Sequence, residues 1–416
     1  MPGPKASPRP LRPSFVLAML LVVYTFNFID RQILGILAGP IKADLNLTDT
    51  QLGALGGFAF ALLYSTMGLP LAWLGDRKGR TPVIAASLAL WSGFTALCGM
   101  VSGFGAMFLC RLGVGVGEAG GVAPSYALIS DTFPPSQRAR ALAIYSLGIP
   151  LGSAAGILLG GYVAAAVNWR AAFLAVGLAG LVFTPVFAWV VRDPHRPTPA
   201  QAPALRAVLT ILAGKRSFWL LSFGAASCSM MGYGLAFWLP SLMRRSFGLN
   251  LVETSRFFGL LLLIGGTVGV LAGGVLADWL GGRNRAAFAW LPACSFLLGV
   301  PLFVGGLYSG AAGAAFWWFL LPQALVYLWL GPVLTAVQHL VPAPMRGTAS
   351  ASFLLINNLI GVGLGSLTIG KLSDLLTPGF GQDALRHAIM MGLGFYLLAA
   401  VLMMAAGRYL AREWVA

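Results

Sequence analysis

The chain alternates between long apolar runs and short polar breaks. A bilayer-crossing helix needs about 20 consecutive apolar residues, and twelve stretches qualify. They run from Ser14 to Ile41, Gln51 to Leu74, Pro82 to Val101, Gly105 to Ser130, Ala139 to Ala165 and Trp169 to Val191. A second set runs from Ser217 to Met243, Phe257 to Ala277, Ala286 to Gly306, Ala311 to Val337, Thr348 to Ile369 and Ala388 to Leu410. We number them spans 1 to 12. The pattern predicts an all-α membrane protein. The longest polar break, Arg192 to Arg216, contains Pro194, Pro197, Pro199 and Pro203. It separates two six-helix bundles, 14–191 and 217–416, preceded by a tail at 1–13 and joined by a linker at 192–216.

Composition supports that reading. Of 416 residues, 58% are hydrophobic and 9% charged, where a soluble domain carries about 25% charge. So few charges could not cover so much apolar surface in water. Disorder, collagen and a small disulfide scaffold fail the same test. The 54 glycines suit closely packed membrane helices. The net charge of +15 is spread between apolar segments, which argues for membrane orientation and against nucleic-acid binding. Of the 27 Lys and Arg, eighteen fall on the side of the two termini, seven on the opposite side, and two inside spans. The positive-inside rule then predicts cytoplasmic termini in the cell's inner (plasma) membrane. Arg244, Arg245 and Arg256, between spans 7 and 8, run against the trend. The first apolar run is too long for a signal-peptide core and reads as a retained helix. Cys98, Cys110, Cys228 and Cys294 lie in apolar stretches and read as buried free thiols.

Two local patterns recur. Asp76-Arg77-Lys78-Gly79-Arg80 after span 2 returns in weaker form as Asp278-Trp279-Leu280-Gly281-Gly282-Arg283 after span 8, 202 residues on. Pro134-x-x-x-Arg138-x-x-Ala141 after span 4 returns as Pro342-x-x-x-Arg346-x-x-Ala349 after span 10, 208 residues on. Matches at equivalent spans imply two parallel six-helix repeats, an arrangement used by transporters.

Twelve spans with these paired loops resemble the major facilitator superfamily. Asn27-Phe28-Ile29-Asp30-Arg31, Arg111-x-x-x-Gly115-x-Gly117-Glu118-Ala119 and Gly148-Ile149-Pro150-Leu151-Gly152-Ser153 are further similar to bacterial members of its spinster lipid-transporter branch. The resemblance implies Asp30 as proton carrier, with Arg31 and Glu118 in substrate and coupling contacts. It also implies that Asp76, Arg80 and Asp131 form an ion-pair latch on the cytoplasmic side, with Arg77 in the same loop. Ala72 replaces the glycine that usually heads that motif, and the Asp278 copy promises a weaker latch.

The intramembrane charges support these roles independently. A charge at the bilayer centre costs about 2.5–3.5 kcal/mol on insertion scales, so it is kept for a partner or a wet cavity. Arg111 and Glu118 lie seven residues apart, two turns along one face of span 4. Asp30 and Arg31 point about 100° apart around span 1, so one can face the cavity while the other faces a neighbouring helix. Asp30 suits proton carriage, with Glu118 in the same network. Arg31 and Arg111 suit a phosphate or carboxylate. The alternative is two static ion pairs that set helix register. Spans 7 to 12 carry no clear mid-membrane acid or base. With Asn27, their candidate cavity groups are Tyr233, Phe237, Trp238, Asn357 and Asn358. One polar wall and one greasy wall suit an amphiphile.

Glycine stripes mark Gly148, Gly152, Gly156 and Gly160 in span 5, and Gly265, Gly269 and Gly273 in span 8. In the superfamily these spans face each other, so the stripes are expected to form a contact about which the halves rock; static packing within one half is the alternative.

Several signals are discarded. Gly115 to Gly120 matches a dinucleotide pattern but lies inside an apolar helix. Gly365 to Lys371 begins like a phosphate loop, yet Leu372 stands where Ser or Thr must hold magnesium. His195, His339 and His387 are far apart, so no metal site is expected. The expected protein is a monomeric secondary transporter without cofactor, not an enzyme and with no nucleic-acid partner. It would move a lysophospholipid or sphingoid phosphate coupled to protons. The rivals are a carrier of small organic anions or sugars and, further off, an intramembrane lipid enzyme.

Overall fold

The computed structural model describes residues 13–193 and 205–415, without the side chains at 76, 135, 136, 139, 143, 205, 278 and 343. Ten spans are continuous apolar helices: Pro13–Leu45, Asp49–Gly75, Arg80–Cys98, Phe104–Thr132, Arg140–Ala166, Trp169–Val190, Arg216–Phe247, Leu251–Gly281, Ala287–Leu307 and Ala312–Gln338. Spans 11 and 12 follow as 346–380 and 384–413, separated by one tight turn at Gly381. The outer surface is itself apolar, with Trp189 and Trp317 more than 70% exposed, as expected where lipid is the solvent. Cys294 lies on this surface and Cys110 is half-buried, so only Cys98 and Cys228 are the buried thiols expected.

The two halves repeat in detail. Span 2 starts from a capping box in which Thr48 and Gln51 satisfy each other's backbone donors. Span 8 starts from the same device, built by Asn250 and Glu253, again 202 positions on. Each closes two of the four donors that a helix start leaves open. Both spans then carry one widened π-turn, at Ala54–Phe58 and Leu262–Gly266. A third lies in span 11 at Asn357–Val362.

The linker is not irregular throughout. Leu205–Ala213 forms a helix. Its Val208 and Leu212 are buried in the large apolar cluster that draws on both halves, at the spacing of one helix face. Pro194, Pro197, Pro199 and Pro203 lie outside the described residues.

The glycine stripes correct the sequence reading. A side chain at Gly148, Gly152, Gly156 or Gly160 would collide with span 1, against Tyr24, Thr25, Phe28, Ile29 and Ile33. Side chains at Gly265, Gly269 and Gly273 would meet Gln323, Ala324, Tyr327 and Leu328 of span 10. Each stripe therefore packs inside its own half. The contact between spans 5 and 8 falls elsewhere, where Gly161 meets Ser255 and Gly259 meets Leu158. Glycine was needed where backbones come closest, and that is within each bundle. Gly156→Val is accordingly expected to destabilise by about 1–3 kcal/mol, the usual range for overpacking. Gly93→Ala, where nothing lies within 4 Å, should be neutral or gain up to about 1 kcal/mol. Thermal unfolding in detergent compares the two directly.

Polar contacts between the halves gather on the face opposite the termini. Asp49 at the start of span 2 accepts from Nη1 and Nη2 of Arg245 in span 7, at 2.7 and 2.8 Å. Lys42 of span 1 reaches the same carboxylate at 2.6 Å, and Ser373 of span 11 donates at 2.8 Å. Asp374 in turn accepts from the backbone N–H groups of Asp49 and Thr50. Below this clamp Ser366 donates to the Gly53 carbonyl at 2.8 Å. The opposite face is therefore closed.

Candidate functional site

The four intramembrane charges form two pairs across spans 1 and 4. Arg111 Nη1 donates to Asp30 Oδ1 at 3.2 Å, with both side chains 1% exposed. Thr95 of span 3 donates to the other Asp30 oxygen. Arg31 Nε donates to Glu118 Oε2 at 2.8 Å. The 100° step between Asp30 and Arg31 thus sends the acid toward spans 3 and 4. The base turns to the centre, where its guanidinium lies 4.6–5.0 Å from the ring centroids of Phe28, Phe60 and Tyr64. These aromatic faces stabilise a cation that lies out of water. Arg111 and Glu118, on one face of span 4, receive one member each.

The network keeps unused hydrogen-bonding capacity. Arg31 Nη2, Arg111 Nε, Glu118 Oε1 and both polar atoms of Asn27 are buried without a hydrogen-bond partner among the described residues. Buried polar groups are seldom left so, and such orphans mark a site where water, an ion or a ligand belongs. Arg31 and Arg111 both border a cavity of about 30 Å³ with Gln32, Phe60, Tyr233 and Phe237. That is room for about one water molecule. Gln32, Tyr233 and Ala236 also border a second cavity of about 120 Å³, whose far wall is Gln323, Tyr327, Trp329 and Tyr396.

This second wall differs from the sequence expectation. Tyr233 and Phe237 line the cavities as anticipated. Trp238 does not: it is fully buried and its Nε1 donates to the Ser366 carbonyl at 2.8 Å, tying span 7 to span 11. Asn357 accepts from Ser229 at 2.8 Å and donates to Asn358. That pair also joins spans 11 and 7 at the π-turn, and neither asparagine borders these two cavities. The wall carries more hydroxyl and amide groups than a greasy surface would, because Ser229, Gln323, Tyr327 and Tyr396 face it.

On the face of the termini, Arg80 pairs with Asp131 across spans 3 and 4. Arg77 instead lies over the Trp73 ring, 4.2 Å from its centroid. Gly79 has φ +107°, a conformation that excludes side chains, and it lets Thr81 turn both donors onto Asp193 at 2.9 Å. The side chains of Asp76 and Asp278 lie outside the described residues.

A family profile described as the Major Facilitator Superfamily matches residues 20–366. The chain belongs to the major facilitator superfamily. Within it, this facilitator is 34% identical to an MFS-type efflux pump of Mycolicibacterium smegmatis, over 92% of its own length and 89% of the pump's. It is 26% identical to a hexuronate transporter of Bacillus subtilis, over 86% and 87%. It superposes on a crystal structure of a bacterial homologue of the human lysosomal transporter spinster, inward-facing and unoccupied, with a TM-score of 0.90 and 28% identity over 99% and 100% of the chains. The facilitator is spinster-like, and it is a transporter, not an enzyme.

Reading the sequence missed three parts of the site. Thr95 and Gln32 are ordinary polar residues in apolar runs, and only their neighbours across the bundle mark them out. Asp49 and Arg245 sit near span ends, where charges usually meet solvent. The one available signal was the excess of Arg at 244 and 245 on the otherwise charge-poor side.

Proposed function

We propose that this secondary transporter carries an anionic amphiphile, a lysophospholipid or sphingoid phosphate, by alternating access coupled to protons. Arg31 carries the reading. Its guanidinium borders the central cavity, is held by Glu118 and three aromatic rings, and keeps one nitrogen unpaired. A phosphate head group would take that free donor and draw on Arg111 in the same cavity, as paired guanidinium groups do. Phe28, Val326, Trp329 and Leu330 give the adjoining chamber apolar surface for the start of a chain. Binding at Arg31 would compete with Glu118, and a change at Arg111 would release Asp30 to take a proton. Substrate and proton are then linked through one network of four residues. Net positive charge near the termini supports a cytoplasmic placement of the face that carries them.

A second reading has its own support. Gln32, Gln323, Tyr327 and Tyr233 are the donors and acceptors a carboxylated sugar would use, and one relative is a hexuronate transporter. Uptake of a labelled lysophospholipid into proteoliposomes, with and without an imposed pH gradient, decides between them. Gradient-dependent lipid flux is the expected result. Flux of labelled glucuronate with none of lipid would replace the amphiphile by the sugar acid.

A further inference from the structure

The face opposite the termini holds a second cationic site, apart from Arg31 and Arg111. Between spans 1 and 7 lies an open vestibule of about 620 Å³, bordered by Gly39, Lys42, Asn46, Ser241, Arg244 and Arg245. Lys42 and Arg245 already share Asp49. Arg244 has no ion-pair or hydrogen-bond partner among the described residues, and its guanidinium lies across Gly39, where a side chain would have to push it aside. Of the other acids nearby, Asp44 is taken by Arg170 and Trp169, and Asp374 by the Asp49 and Thr50 amides and the Thr50 hydroxyl. Three cations therefore border one space, and the one carboxylate paired with any of them is Asp49. Like charges held this close favour a bound anion.

We propose that this vestibule binds an oxyanion, and that the bound anion loosens the closed face by competing with Asp49 for Arg245 and Lys42. The anion first meets Arg244, the cation with no partner. It then lies within reach of Arg245, whose Nη1 and Nη2 both serve Asp49. A phosphate or carboxylate offers the same bidentate geometry as Asp49, so the exchange needs no new chemistry. Each bond transferred weakens the hold of span 2 on span 7, and with it the seat of the Asp49 and Thr50 amides on Asp374. The source is either a free anion or the head group of an anionic lipid in the adjacent leaflet. The inference does not rest on which substrate the central cavity carries.

Hydrogen exchange of the Asp49 and Thr50 amides reads this directly, using the full chain in phosphatidylcholine nanodiscs. Inorganic phosphate, compared with chloride at equal ionic strength, is expected to speed their exchange about fivefold, as the loss of one partly exposed ion pair would. Arg244→Gln should remove the acceleration and Arg244→Lys, which keeps charge without the fork, should reduce it. Acceleration in phosphatidylglycerol nanodiscs without phosphate assigns the anion to a lipid head group; acceleration only with phosphate assigns it to solute. No acceleration in either medium, or equal acceleration in both Arg244 variants and the parent, overturns the proposal.

Discussion

Asp30→Asn is expected to abolish the response of transport to a pH gradient. Asp30 is the buried acid that meets both Arg111 and Thr95, and asparagine cannot exchange a proton. The same change leaves Arg111 buried opposite a neutral group. Breaking one side of a buried pair costs about 3–5 kcal/mol, so the single variant should also melt earlier. Stability and coupling separate in the double variant Asp30→Asn/Arg111→Gln. Its two amides can hydrogen-bond across spans 1 and 4 with no buried charge, so most of the stability should return. Gradient-driven flux should not. Recovery of flux together with stability would make Asp30 a structural partner of Arg111 and nothing more.

The second large effect is expected at Asp49. Asp49→Ala removes the two bonds from Arg245, the bond from Lys42 and the bond from Ser373 together. Asp49 is 3% exposed, but Arg245 and Lys42 are 28% and 35% exposed, so solvent screens part of the interaction. A net loss of about 2 kcal/mol is a reasonable scale, which is about a 30-fold shift in the equilibrium toward opening of that face. Distances between spin labels placed on spans 2 and 7 should lengthen in the variant. Asp44→Ala provides the control, because Asp44 pairs with Arg170 inside the same half. An unchanged distance distribution for Asp49→Ala, or the same change for Asp44→Ala, would remove the clamp from any role in the conformational balance.

Much of the architecture was legible without coordinates. Apolar runs of bilayer length define the spans, and the loop motifs at Asp76 and Pro134 expose the repeat. The structure adds the paired caps at Thr48 and Asn250, which the same repeat register contains. That Asp30 and Arg31 point about 100° apart also followed from helix geometry, but which of them faces the centre did not. What could not be read was which neighbour a face meets. The Gly148 to Gly160 stripe announces a close contact but not its partner, and the partner is span 1. Trp238 and Asn357 have cavity-forming chemistry, yet a backbone carbonyl and a serine on adjacent helices claim them. Asp49 was passed over because its role depends on Arg245, nearly half the chain away. The linker helix at Leu205–Ala213 was within reach: Val208 and Leu212 already stand four residues apart on one face.

The π-turn in span 8 has a geometric consequence. A π-turn holds one residue more than an α-turn, and one residue turns a helix by about 100°. Everything below Leu262–Gly266 is therefore rotated relative to Ser255 and Gly259 above it. Above the turn, the helix presents those two residues to the first half; Gly265 within the turn and Gly269 and Gly273 below it face span 10. The single extra residue sets the azimuth between a surface facing the other half and one packed inside its own half on the same rod. Deleting one residue there would leave composition and length nearly intact. It would also close the π-turn to an α-turn and leave the glycine stripe on its seat, whereas a deletion between Gly266 and Gly269 would swing Gly269 and Gly273 about 100° off theirs, so in this helix angular phase is specified as strictly as any side chain.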